Sequence, residues 1–152
     1  MPNSARVVLR SVDPGAGSGL VFDATTETGQ SFVMDSAKEP EGVSPVDTLL
    51  AALGGCCAMD VIGILRKKRQ DVTGYEVYVT GDRREEYPRA FTRIEVVHRV
   101  RGRSLSGNAI EEAMRLSNTK YCTVFATLVP AVPVTSSDEI IPEPSSWHTD
   151  AT

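Results

Sequence analysis

Alternating apolar and polar positions open the chain. Val7, Val8 and Leu9 form one apolar run, Leu20, Val21 and Phe22 a second, and Phe32, Val33 and Met34 a third. Asp13-Pro14-Gly15-Ala16-Gly17-Ser18-Gly19 separates the first two, and Glu27-Thr28-Gly29-Gln30 reads as a hairpin turn between the others. Strands are therefore predicted within residues 5–35, followed by a polar loop over 36–43. The glycine-rich stretch matches no phosphate-binding pattern and reads as a turn.

The pattern then changes from a period of two to a helical one. Ser44-Pro45-Val46-Asp47 combines a favoured N-cap, proline at the first helical position and an early carboxylate. Val46, Leu49, Leu50, Leu53, Cys57, Val61, Ile64 and Leu65 recur at helical spacing, and Arg66-Lys67-Lys68-Arg69 closes the run with cations at the negative end of the dipole. The spacing predicts a helix over 45–68, roughly 36 Å long. Almost no polar side chain lies between Leu49 and Ala58, so this stretch calls for burial on most sides. A small domain cannot wrap it alone, which points to a second copy of the chain.

Alternation returns in Tyr75–Val79 and Thr92–Val100, joined by the charged connection Gly81–Arg89, whose ordinary role is a solvated turn with weak ion pairs. A second helix fits Asn108–Ser117, a short helical turn fits Lys120–Leu128, a last strand fits Val132–Thr135, and the tail from Ser136 reads as peripheral. Strands and helices come in blocks, which predicts an α+β fold with antiparallel sheets.

A length of 152 residues suits a single domain spanning 1–152, with 1–4 and 137–152 peripheral. The net charge of −4 argues against a nucleic-acid partner, and 41% hydrophobic with 24% charged residues is an ordinary globular mixture. No unbroken apolar run reaches the roughly 20 residues of a bilayer span. Met1–Arg6 lacks the apolar core of a secretory signal. A soluble, cytoplasmic protein with no membrane partner is expected.

Cys56, Cys57 and Cys122 do not suit a secreted disulfide framework, and with no C-x-x-C and with His98 and His148 remote in sequence, no metal site is expected. Their ordinary role is packing, since free cysteines behave as small hydrophobes. The sharper reading is redox chemistry. Gly54-Gly55 precede Cys56 and let a substrate or backbone approach its sulfur. A thiolate attacks peroxide when its pKa is lowered, and the resulting sulfenic acid needs a second thiol to condense with. Two thiols in an apolar pocket would suit an organic hydroperoxide. Cys56 lies about 16 Å from the helix start, beyond the reach of the dipole, so a nearby arginine would have to activate it.

The stretch Ser44-Pro45-Val46-Asp47-Thr48-Leu49-Leu50-Ala51-Ala52-Leu53-Gly54-Gly55-Cys56 resembles the central-helix motif of the OsmC/Ohr family, in which a proline near the helix start precedes the reactive cysteine by eleven residues. Lys120-Tyr121-Cys122-Thr123-Val124 resembles that family's second-cysteine segment, and residues 64–72 and 83–92 look closest to its YhfA-like branch. The resemblance covers roughly residues 5–137. It implies antiparallel sheets wrapped around a long central helix, an intertwined homodimer, and thiol-dependent reduction of organic hydroperoxides, sometimes of hydrogen peroxide, with an external dithiol as reductant and no cofactor. Cys56 matches the attacking cysteine and Cys122 the resolving one.

Cys57 is an extra thiol that points about 100° from Cys56 on a helix and is assigned to packing. Well-characterised family members carry a glutamate after the helix-start proline, paired with the activating arginine. Here Val46 occupies that position and Asp47 follows; Arg84, Glu86 and Arg89 in the charged connection are the other candidates to support the thiolate. Asp60, one turn after Cys56, would raise the thiol pKa as a carboxylate and is expected instead to cap or to pair with a cation of the partner subunit. His98 shares a face with Ile94, Val96 and Val100, as a core or interface histidine does. A different class of function also fits: a non-catalytic dimer that binds a small apolar ligand between its subunits. Thiol-dependent acyl transfer would need a base beside Cys56, and no histidine is placed for it.

Overall fold

The computed structural model describes residues 2–143, so His148 lies outside the described residues. The chain forms two units, residues 1–49 and 50–152. In the first, β1 (Ala5–Leu9), β2 (Phe22–Thr26) and β3 (Ser31–Met34) make an antiparallel sheet in sequence order. Gly29, at φ 92°, turns the β2–β3 hairpin, and its amide donates to the Thr26 carbonyl at 3.0 Å. The loop after β3 is organised by Asp35, only 2% exposed, whose carboxylate accepts from the Ser18 hydroxyl at 2.8 Å and from the amides of Ala37 and Glu41 at 3.1 Å.

The long helix α1 runs from Pro45 to Lys67. Its start follows the predicted cap, with the Ser44 hydroxyl accepting from the Asp47 amide at 3.0 Å. It ends without glycine: Arg69 takes the left-handed conformation at φ 57°, and the Gln70 amide returns to the Leu65 carbonyl at 3.0 Å. One 18-residue window of α1 has a mean hydropathy of 2.0, so by length and composition this helix could cross a bilayer. Asp47 and Asp60 still interrupt the apolar run, and glycine, alanine and cysteine sustain the hydropathy between the larger side chains. Leu53, Cys57, Val61 and Leu65 are fully buried in protein, forming one stripe at helical spacing.

In the second unit, β4 (Asp71–Arg83) pairs antiparallel with β5 (Phe91–Arg103), and β5 pairs parallel with β6 (Val134–Pro142). The parallel edge and the extent of β6 differ from the sequence expectation. Ser136–Pro142, read as tail, is strand, held by backbone pairing from Val96↔Ser136 to Gly102↔Pro142. Its Ser-Ser-Asp-Glu run carries no apolar alternation to announce it. The mixed α+β class stands as expected, with two three-stranded sheets and one long helix.

β5 is the central strand, and its alternate residues Ile94, Val96, His98 and Val100 face the core and are closed to solvent. Two apolar clusters form along it. Leu53 and Cys57 join Ile94, Val96, Cys122 and Val132 in one; Val61 and Leu65 join Val100 and three residues of α2 (Gly107–Leu116), namely Ile110, Ala113 and Met114, in the other. After α2 the chain makes a π-helical turn over Ser117–Tyr121, closed by the Cys122 amide on the Ser117 carbonyl at 2.8 Å, and then enters the short α3 (Thr123–Leu128).

The β4–β5 ladder is tight where Gly102 opposes Val72: a Cβ built on Gly102 would lie 2.1 Å from the Asp71 carbonyl oxygen. Gly102→Ala is therefore expected to lower the unfolding free energy by about 1–3 kcal/mol, read as a shift of the urea midpoint at unchanged slope.

Candidate active site

The thiols meet because two local devices aim them at one point. Cys56 and Cys57 are consecutive on α1, so their side chains diverge by about 100°. Cys56 is half-buried, whereas Cys57 is fully buried. Cys122 comes from the far end of the chain, delivered by the π turn that follows α2. As the N-cap of α3 it is 2% exposed, and its sulfur accepts the Phe125 amide hydrogen at 3.3 Å.

Cys122 Sγ lies 3.5 Å from Cys57 Sγ. It also lies within 4.8 Å of both Cys56 Sγ and a carboxylate oxygen of Asp60, which are as close to each other. Thus Cys56 and Cys122 come together, and Cys57, assigned to packing from its helical position, contacts the same sulfur while also filling the core. The two diverging directions on α1 straddle Cys122. Asp60, four residues after Cys56 and hence on the same side of α1, accepts the Ser117 hydroxyl at 2.9 Å. Within the chain its partner is a hydroxyl at the start of the π turn.

Burial is the main electrostatic influence on the inner sulfurs. It pushes the Cys57 thiol above its ordinary pKa, with hydrogen bonds to Cys122 and Ser117 opposing and the charges of Cys56 and Asp60 reinforcing the rise. It pushes Cys122 well above the ordinary thiol range, against the opposing Phe125 amide. No cation is among the groups that shift either thiol. Arg84, Glu86 and Arg89 lie exposed in the β4–β5 connection. There Arg89 donates to the Glu85 carbonyl at 3.3 Å and covers the Tyr87 ring at 5.2 Å. Asp47 is exposed in the first turn of α1.

Beside Asp60 the surface is concave. Met59, Asp60, Gly63, Ile64, Leu116 and Tyr121 line a groove of about 460 Å³ that Lys67 and Lys68 also border. A second hollow of about 350 Å³ has Cys122 and Tyr121 in its wall. Both offer a mixed apolar and polar lining next to the thiol cluster.

A buried polar pair that sequence reasoning placed only in part stands nearby. The Tyr75 hydroxyl is 2.6 Å from His98 Nδ1 and donates to it when the ring proton is on Nε2. The rings stack with centroids 6.0 Å apart. Burial raises the Tyr75 pKa, and the charges of Cys57 and Asp60 add to the rise, so the phenol stays protonated. Val77↔His98 and Tyr75↔Val100 are register partners of the β4–β5 ladder, and this pairing was the only available signal.

A family model described as OsmC-like protein matches residues 37–137. Protein YhfA of Escherichia coli (strain K12) is 43% identical over 123 residues, which cover 81% of this chain and 92% of that protein. The crystal structure of a hypothetical protein from Aquifex aeolicus VF5 superposes with a TM-score of 0.81 at 28% identity, over 95% of this chain and 99% of the other. An organic hydroperoxide resistance protein OsmC from Legionella pneumophila shares the fold at TM-score 0.62 and 12% identity, over 91% and 97% of the two chains.

Burial lowers the pKa of His98 from 6.5 to about 4. The unfolded chain therefore binds a proton between those values that the folded chain does not, so stability is full above pH 6.5 and falls as the pH drops toward 4. From about pH 7 to about pH 5 this residue should cost about 2 kcal/mol of unfolding free energy. Urea titrations at both pH values should show that loss in the wild-type chain and a smaller one in His98→Phe.

Proposed function

The chain belongs to the OsmC-like family, and from that premise and the thiol geometry we propose that it is a cysteine-based peroxidase acting on organic hydroperoxides. The observation that carries the reading is the approach of Cys56 Sγ and Cys122 Sγ to within 4.8 Å, with Cys56 the more accessible of the two. A fold shared with the Legionella pneumophila organic hydroperoxide resistance protein is consistent with it.

In this reading the Cys56 thiolate attacks the distal peroxide oxygen. The O–O bond breaks, the alkoxide leaves and takes up a proton as the alcohol, and Cys56 becomes a sulfenic acid. The Cys122 sulfur then attacks Cys56, its proton leaves with the hydroxyl as water, and a Cys56–Cys122 disulfide forms. An external dithiol reduces that bond and returns both thiols. The apolar side chains of Met59, Ile64 and Leu116 in the adjoining groove suit the organic part of such a substrate. Arg84 and Arg89, with Glu86, and Asp47 at the start of α1 are the charged groups proposed to support the thiolate in the assembled protein. Val46, Leu49 and Met59 stand exposed on α1, Met59 to 76%, and we assign them to a homodimer interface in the cytoplasm.

A second reading, a non-catalytic dimer that holds a small apolar ligand, is favoured by one observation: among the described residues no cation shifts the Cys57 or Cys122 thiol. One experiment separates the two. Reduced protein is treated with an equivalent of cumene hydroperoxide, quenched early and mapped by mass spectrometry. A peroxidase yields the Cys56–Cys122 disulfide within seconds, whereas thiols still free after minutes in a folded chain leave the binding role. Cys56→Ser should cut turnover by at least about a hundredfold, while Cys57→Ser should keep most of it. A dead Cys57→Ser with an active Cys56→Ser would overturn the assignment.

A further inference from the structure

The donors around Cys122 suit chemistry that the peroxidase reading does not use. Cys56 Sγ, Cys122 Sγ and an Asp60 oxygen all lie within 4.8 Å of one another, all three at least half-buried. In a tetrahedral zinc site, ligand atoms at 2.0–2.3 Å from the metal stand about 3.5–3.8 Å apart, so only a small contraction of these side chains is needed. Two of the three ligands are already oriented from behind. The Ser117 hydroxyl holds one Asp60 oxygen at 2.9 Å, and the Phe125 amide holds the Cys122 sulfur at 3.3 Å. Such outer hydrogen bonds are what orient ligands in metal sites.

We propose that Cys56, Asp60 and Cys122 form a binding site for a thiophilic divalent cation, Zn²⁺ or Cd²⁺, with Ser117 as the positioning residue. Two thiolates and one carboxylate select such a cation over Mg²⁺ or Ca²⁺, which prefer all-oxygen shells. Binding converts the two thiols to metal thiolates and releases two protons to solvent, with no change of oxidation state. Cys57, fully buried beneath Cys122, stays outside the ligand set. Asp60, the carboxylate ligand, also lines the groove beside Met59 and Tyr121. The sequence expectation of no metal site came from the absence of C-x-x-C spacing. Here one thiol and the carboxylate are spaced i, i+4 on a helix and the other thiol arrives from the π turn.

The site goes beyond the peroxidase reading, and its test contains no peroxide. Reduced full-length protein is titrated anaerobically with Cd²⁺, following the ultraviolet sulfur-to-cadmium charge-transfer band, and Zn²⁺ affinity is measured by competition with a chelating dye. The expected result is one Cd²⁺ per chain, displaced by Zn²⁺, and a bound metal that slows alkylation of Cys56 and Cys122. Asp60→Asn and Ser117→Ala keep every thiol, and each should weaken binding at least about tenfold. Cys122→Ser should remove the band, and Cys57→Ser should retain it. Thermal melts of the metal-free variants establish that each is folded. Absence of the band in the wild type, or affinity unchanged in folded Asp60→Asn and Ser117→Ala, overturns the proposal. Either result leaves hydroperoxide turnover by the metal-free protein to be judged by its own assay.

Discussion

The stripe of Leu53, Cys57, Val61 and Leu65 packed against alternate residues of β5 is the contact on which the second unit rests. All four helical residues and their partners Ile94, Val96 and Val100 are closed to solvent. Burying side chains of this size is worth roughly 1.5–3 kcal/mol each for the larger aliphatics, which exceeds any single surface ion pair in the chain. The rotation of α1 about its axis follows from that stripe. With Cys57 locked inward, Cys56 is turned about 100° away, toward the accessible side, and Asp60 lies one turn beyond it.

The same stripe leaves a polar seam in the core. His98 sits between Val96 and Val100 on the buried face of β5, with Tyr75 bonded to its Nδ1. Ser117 and Asp60 form a part-buried polar contact alongside it. A buried polar group is costly unless it is paired, so these partners fix register more than they add stability. The π turn matters here because its extra residue displaces the chain after Ser117 and sets where the Cys122 sulfur meets Cys57, while the Ser117 hydroxyl reaches Asp60 from the helical end of α2. A regular α-helical exit would shift that sulfur.

Much of this was legible in the sequence for identifiable reasons. The Ser44 cap, the proline after it and the spacing of apolar residues specify α1 to within a residue at its end, because local hydrogen bonds and one buried face determine a helix. β5 was legible from its alternation. The parallel strand β6 was not, since Thr135-Ser136-Ser137-Asp138-Glu139 owes its strand state to backbone pairing with β5 rather than to an apolar face. Likewise Cys56 and Cys122 could be singled out by type and context, whereas the sulfur contact of Cys57 depends on a π turn with no sequence signal of its own. Arg84, Glu86 and Arg89 illustrate the reverse. Their charge drew attention, and within the single chain that charge faces solvent and local backbone.

The three thiols differ in what burial lets each do. Desolvation disfavours the anion at Cys57 and Cys122, so neither is suited to meet an oxidant first. A resolving thiol meets a different demand, because it attacks a sulfenic acid already formed beside it, and proximity replaces thiolate population as the main source of rate. Cys56, half-exposed and adjoining the sealed pair, is the thiol from which oxidation would pass inward in the proposed cycle. In the proposed peroxidase cycle the raised pKa of Cys122 would protect it between turnovers, since a neutral buried thiol is a poor target for peroxide. Enclosure of the second sulfur is thus compatible with the proposed catalysis, in which it would confine over-oxidation to the outer one.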